Sequence, residues 1–173
     1  MRGIVKKISN IMTTIIIVTI VILAILLAGV RLFGVTPYMV LSGSMEPTYH
    51  VGSLIYIVKA DATELKKNDP VTYKLDGGTV VTHRIVEVIL DEGNPAKIQF
   101  RTKGDANKEP DGSLLPAERV IGKPLFCIPF LGYVANFVQT PPGIYIVEGV
   151  CVTLLLLFAI LDLVTAKKNQ QSE

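Results

Sequence analysis

The chain has 173 residues, half of them hydrophobic, and a net charge of only +2. That length fits one domain rather than two, and so small a charge, with Lys and Arg scattered and no basic stripe among aromatics, argues against nucleic-acid binding. The two cysteines and two histidines are too few for a thiol–metal cluster, and Cys151 sits inside an apolar block, which argues against a disulfide with Cys127.

The apolar excess is concentrated in residues 11–33 and 144–164, the pattern of a membrane protein. Residues 1–10 carry Arg2, Lys6 and Lys7 and no acid; then Ile11-Met12-Thr13-Thr14 leads into Ile15–Val30, closed by Arg31. About 20 uncharged residues are enough to cross a hydrocarbon core of about 30 Å as a helix, and the basic flank places residues 1–10 in the cytoplasm. A cleavable signal peptide has an apolar region of about 7–15 residues and then a small-x-small site. Leu27-Ala28-Gly29-Val30-Arg31 is a poor match to such a site, so residues 11–33 are expected to remain as an anchor.

From Thr36 to Val120 the pattern changes to short β-rich runs broken by Gly, Asp, Asn and Pro. Strands are expected over Gly52–Lys59, Pro70–Leu75, Thr79–Leu90 and Lys97–Lys103, with Asp76-Gly77-Gly78 as a tight turn and Ala62–Lys67 as a short helical piece. In Thr79–Leu90, alternation puts Val81, His83, Ile85, Glu87 and Ile89 on one face. His83 thus sits among apolar neighbours, where a hydrogen-bonded packing histidine is the ordinary reading. Ser42-Gly43-Ser44-Met45-Glu46-Pro47-Thr48 reads as a turn, and Gly104-Asp105-Ala106-Asn107-Lys108-Glu109-Pro110-Asp111 as a solvated loop.

Ser44, His83 and an aspartate of the 105–111 loop supply the residue types of a serine nucleophile, an imidazole base and an orienting acid. At these positions the chain resembles type I signal peptidases of the serine–histidine branch, found in the endoplasmic reticulum, archaea and some Gram-positive bacteria. Ser42–Thr48 resembles the nucleophile box, Thr82-His83-Arg84-Ile85 the box holding the base, and Lys103-Gly104-Asp105-Ala106-Asn107 with Pro110-Asp111 the third box. The resemblance covers roughly residues 10–125.

It implies Ser44 as nucleophile, His83 as general base, and Asp111 in preference to Asp105 as the acid, Asp105 supporting the loop or the histidine strand. Ser42 is implied to join the Ser44 backbone N–H in holding the oxyanion. Glu46, beside the nucleophile, would compete with Asp111 if it approached His83. The extended runs before the serine and the histidine, with Pro37, Met39, Leu41 and Val81, are expected to receive an extended peptide by strand addition. The implied substrates are secretory preproteins with small residues before the cut, and no cofactor or metal is expected. Accessory subunits are left open. The rival readings are a non-catalytic anchored β domain that binds partners and an autoproteolytic repressor-type protease, the latter calling for a lysine base and a DNA-binding domain.

Ile121–Val138, interrupted by Gly122, Pro124, Pro129 and Gly132, is too broken to span a membrane and is expected to lie on it or to close the sheet. Ile144–Val164 is again long enough to span, with Glu148 and Asp162 near its ends and Lys167 and Lys168 placing the tail in the cytoplasm. The expected architecture is mainly β, a small, partly closed β-barrel-like catalytic domain flanked by N- and C-terminal transmembrane helices. Its divisions are cytoplasmic residues 1–10, an anchor over 11–33, an extracytoplasmic domain over 34–125, a membrane-proximal segment over 126–143, a second span over 144–164 and a cytoplasmic tail over 165–173. This is a multi-pass protein of the plasma membrane or an ER-type membrane, in contact with lipid.

An imidazole base is intrinsically poised near neutrality, whereas a lysine base must first be desolvated. Hydrolysis is therefore expected to rise through roughly pH 6–7 with one controlling ionisation. A rate profile flat from about pH 5 to 8 would exclude His83 as the base.

Overall fold

Period-two alternation between turn residues builds an antiparallel sheet in the order β1-β2-β7-β3-β4-β5-β6. The strands are β1 (Val35–Met39), β2 (Leu54–Val58), β3 (Pro70–Lys74), β4 (Val80–Asp91), β5 (Asn94–Lys103), β6 (Leu115–Pro116) and β7 (Val120–Ile128). The computed structural model describes residues 2–91, 94–153 and 156, the side chains of residues 2–6, 8–10, 12, 91 and 94–97 aside. The chain divides into two units, residues 1–132 and 133–173.

The sheet curls into a half-barrel, and β7 is where it bends. Residues 123–128 of β7 pair with β2, while Val120 and Gly122 pair with β3, with register shifts at Tyr56/Ile57 and Thr72/Tyr73. Each irregularity leaves one β7 residue without an opposite, which kinks the strand and increases its twist. The Gly and Pro that make 121–128 look too broken for a helix are the residues such a strand needs. Of the expected 121–138 segment, residues 121–128 thus join the sheet between β2 and β3, and Leu131–Gln139 is a helix.

The core lies on one face: Val71, Tyr73, Ile85, Phe100, Leu65, Ile98 and Leu115 form one buried cluster. His83 shares the inward face with Ile85, as the alternation predicts, and both are buried. Beyond Ile85 a simple alternation fails. A register shift between Ile85 and Glu87 reverses the faces, so that Val88 packs on the core and Glu87 pairs outside with Arg101 at 3.0 Å. The expected helical piece over 62–67 is a single 3-10 turn, Ala62–Glu64, capped by the Asp61 carboxylate on the Thr63 N–H.

Before the sheet, helix α1 runs Arg2–Leu27, and a 3-10 turn covers Gly29–Phe33. The helix thus starts and stops earlier than the expected 11–33 block. Among the described residues no helix is long and apolar enough to cross a membrane. After β7 come α2 (Leu131–Gln139) and a helical run over 143–153. Residues 154–155 and 157–173, with the end of the expected second span and the cytoplasmic tail, lie outside the described residues, as do Glu92 and Gly93 between β4 and β5.

A Cβ at Gly122 would lie 1.9 Å from the Val58 carbonyl oxygen, whereas at Gly112 nothing lies within 4 Å. Since the obstacle at Gly122 is backbone, Gly122→Ala is expected to cost about 3 kcal/mol and to lower the unfolding temperature by about 6–12 °C. Gly112→Ala is expected to change it little. Thermal unfolding of the two full-length variants in detergent checks this, and equal midpoints would refute the close approach of β7 to β2.

Candidate active site

Three segments converge at one end of the half-barrel. Ser42 is extended, and the chain then tightens into a 3-10 turn over Gly43–Met45 closed by the Glu46 N–H on the Gly43 carbonyl. Met45 is buried; it plugs the turn into the protein and leaves the two serines facing out. The β1–β2 ladder continues to the base of this segment, with Val40 N–H on Ser53 O and Gly52 N–H on Val40 O, both at 2.9 Å.

The second segment is β4, which carries His83. The third is the loop after β5. It is bound to the serine turn by the Ala106 N–H on the Ser44 carbonyl at 2.9 Å, and it returns to β5 by the Asp111 N–H on the Thr102 carbonyl at 2.8 Å. At Gly104 a Cβ would stand 2.6 Å from the Ser44 carbonyl oxygen, so only glycine admits this approach.

These placements bring Ser44, His83 and Asp111 together. His83 Nδ1 lies 2.6 Å from Asp111 Oδ2, and Nε2 lies 3.3 Å from Ser44 Oγ. With the carboxylate accepting from Nδ1–H, the Nε2 lone pair faces the serine hydroxyl, the tautomer a general base needs. The 3.3 Å spacing is long for a hydrogen bond to a hydroxyl but within reach of one. Ser42 Oγ is 3.4 Å from Ser44 Oγ, on the exposed side.

Asp105 goes elsewhere. Arg84, next to His83 on β4 but on its opposite face, grips it with two nitrogens, Nε on Oδ1 at 2.8 Å and Nη2 on Oδ2 at 2.6 Å. Thr48 adds a hydroxyl to Oδ2 at 2.5 Å, and Arg84 Nη1 donates to the Asn68 carbonyl at 2.9 Å. The Arg84 guanidinium holds the Asp105 carboxyl below its ordinary range, assisted by Thr48. Glu46 also turns away from His83: its carboxylate pairs with His50 and accepts from the Val51 N–H.

A cleft of about 390 Å³ opens beside the three residues, lined by Ser42, Ser44, Val81, His83, Leu114 and Pro116 among others. Val81 therefore shares the cleft with Ser44 and His83. Pro37 and Met39 are paired with Tyr56 and Leu54 in the β1–β2 ladder, and Leu41 is exposed beyond it; none of these three is among the lining residues. Among the described residues no group of three or more His, Cys, Asp or Glu is placed to hold a metal ion.

Two residues of the site went unnoticed in the sequence. Tyr73 of β3 and Thr102 of β5 both reach Asp111 Oδ2, at 3.2 and 2.7 Å. The available signal was alternation: Tyr73 shares a face with Val71, and Thr102 with Phe100, so each was due to be buried. A buried hydroxyl requires a partner.

Residues 12–97 match the family model described as signal peptidase, peptidase S26. Signal peptidase I W of Bacillus subtilis is 44% identical over 88 residues, which cover 50% of this chain and 45% of that protein. The human signal peptidase complex catalytic subunit SEC11C is 30% identical over 112 residues, 60% of this chain and 57% of the relative. The SEC11 subunit of Candida dubliniensis is 33% identical over 110 residues, 58% of this chain and 64% of the relative. The chain thus spans about half to two thirds of the length of these relatives. The family match takes in Ser44 and His83 and ends before Asp105 and Asp111, whose positions rest on the geometry above. Through this match the chain belongs to the signal peptidase family, peptidase S26.

Proposed function

We propose that this protein is a membrane-bound serine endopeptidase that removes N-terminal signal peptides from secretory preproteins. The observation that carries the proposal is His83, whose two nitrogens reach Asp111 Oδ2 and Ser44 Oγ beside an open cleft. In this reading Ser44 Oγ attacks the scissile carbonyl as its proton passes to His83 Nε2, and Asp111 holds the imidazolium. The proton then goes to the leaving amine as the C–N bond breaks, and a water activated by His83 hydrolyses the acyl-enzyme. Ser42 Oγ and the Ser44 N–H are the proposed oxyanion donors; such a donor is typically worth about 2.7–4 kcal/mol.

The cleft wall at Val81 is proposed to receive the extended peptide, with Pro37, Met39 and Leu41 contributing once substrate is bound. Small residues before the cut are the proposed requirement. The relatives named SEC11 are catalytic subunits of a complex, which supports a search for accessory subunits here.

For the membrane, the proposal is two spans, residues 11–33 and 144–164, with both termini cytoplasmic and the β domain outside. It rests on the sequence alone, on the uncharged runs and the basic flanks of these two blocks; among the described residues no helix meets the length and apolarity of a span. Ile15, Ile16, Ile17 and Val18, which together point to every side of α1, are each about half exposed. A helical turn apolar on every side calls for surroundings other than water.

The two aspartates separate the proposal from its alternatives. In vesicles with a model preprotein, Ser44→Ala is expected to lower the cleavage rate about a million-fold and Asp111→Asn about ten-thousand-fold. Processing at the wild-type rate by Ser44→Ala would refute the proposal.

Asp105→Asn is expected to act on stability instead. A carboxyl whose folded value is depressed contributes stability above its unfolded value, and that stability is lost as pH falls through the folded value. The Asp105 side chain is only 15% exposed, so the loss at pH 7 is expected to be about 2 kcal/mol. The difference between wild type and Asp105→Asn should shrink below its ordinary value of 3.8. Unfolding midpoints measured against pH check this, and a constant difference down to acid pH would exclude the ion pair as its source.

A further inference from the structure

Three donors converge on a single oxygen of Asp111. Oδ2 lies 2.6 Å from His83 Nδ1, 2.7 Å from Thr102 Oγ1 and 3.2 Å from the Tyr73 hydroxyl. The Tyr73 hydroxyl has one proton and two other polar atoms in reach, His83 Nδ1 and Thr102 Oγ1, each at 3.4 Å. Nδ1 carries the proton it gives to Asp111 and accepts nothing, and a neutral hydroxyl is a weaker acceptor than a carboxylate. The Tyr73 proton therefore goes to Asp111. Burial, with the Asp111 charge adding to it, pushes the phenol up to about 12, so the group stays a donor throughout the range in which an imidazole titrates.

We propose that Tyr73 is a positioning residue for the acid: its hydroxyl holds Asp111 Oδ2 against His83 Nδ1 and sets how strongly that carboxylate supports a proton on His83. The role of Asp111 in this statement rests on the Ser44–His83–Asp111 reading above. Asp111 comes from a loop and its side chain is 22% exposed, so its orientation depends on what holds it. Tyr73 and Thr102 are buried and belong to strands. Each donor also draws charge from Oδ2. Without the phenol the oxygen becomes a stronger acceptor for Nδ1–H, and His83 keeps its proton to higher pH while the carboxylate is less well aligned. Among the described residues the charged groups around His83 are Asp111 and, farther off, Asp105, itself neutralised by Arg84; Glu46 is turned to His50, and Arg119, which lines the same cleft, is paired with Asp76.

Tyr73→Phe isolates the hydroxyl, because the ring that meets the His83 imidazole edge-on at 6.3 Å is kept. The test follows the imidazole resonances of the full chain in detergent micelles by NMR from about pH 4 to 9, with His50→Gln assigning the two histidines; these limits bracket the imidazole range. Tyr73→Phe is expected to raise the His83 midpoint by about half a pH unit, a threefold gain in protonated imidazole at fixed pH. Preprotein cleavage at the alkaline plateau is expected to fall roughly tenfold in kcat with KM unchanged. Uniform 3-fluorotyrosine labelling makes the phenol a stronger donor without a mutation, so it serves even where the Phe variant folds poorly. It is expected to move the midpoint down. An unmoved His83 midpoint in either sample overturns the proposal whatever the rate, since loosened packing alone can slow cleavage. A midpoint that shifts in these samples while the wild-type protein cleaves no preprotein upholds the coupling and refutes the endopeptidase reading instead.

Discussion

The site closes on the carbonyl oxygen of Ser44. It accepts the Ala106 N–H, and the chain that brings that N–H passes so near that position 104 has no room for a Cβ. Everything that follows Gly104 is thereby registered against the serine turn, including the return of the loop to β5 through the Asp111 N–H on the Thr102 carbonyl. A shift of this contact by one methyl group would move Asp111 relative to His83, and hydrogen bonds weaken steeply with such displacement and the misalignment it brings. Ser44 and Asp111 are thus positioned by one backbone contact, not by two independent folds of the chain.

The two aspartates of the loop show how geometry divides residues that look equivalent in a sequence. Asp105 uses both oxygens on the planar fork of Arg84, the arrangement that holds a carboxylate most rigidly, and Thr48 occupies one of them as well. That carboxylate ties the serine turn, β4 and the loop together and has little capacity left. Asp111 gathers its donors on Oδ2 alone, and one of these is an imidazole whose other nitrogen faces a serine. Since Arg84 and His83 are consecutive on β4, strand alternation sends them to opposite faces, and each face receives one aspartate.

How much of this was legible depends on the range of the physics involved. The inward face of β4 from Val81 to Ile85 could be read because alternation is a local, period-two property. It failed at Glu87 and Val88 because a bulge opposite β5 reversed the faces, and nothing local to β4 announces a bulge. The strand β7 was legible only as an interrupted apolar segment, since Gly122 and Pro124 make sense only once β2 and β3 are beside them. The serine, the histidine and two candidate acids were visible as residue types in a familiar order. Tyr73 and Thr102 were not, because their part depends on strands β3 and β5 both flanking β4. Alternation buried them; only the register between strands aimed them at Asp111.

The curl of the sheet then explains why a chain with this strand order can have such a site at all. Ser44 follows β1 and His83 lies on β4, and the order β1-β2-β7-β3-β4 puts four strand spacings between them. In a flat sheet that is about 19 Å, at about 4.8 Å per spacing. The observed separation of Ser44 Oγ and His83 Nε2 is 3.3 Å. The turn after β1 supplies part of the difference, but it is pinned by Met45 and by the ladder to β2, so the sheet must bend between β2 and β3. It does so in β7, at the two irregularities that flank Gly122. Those features, which disguised β7 in the sequence, are what bring the two halves of the site within reach of each other.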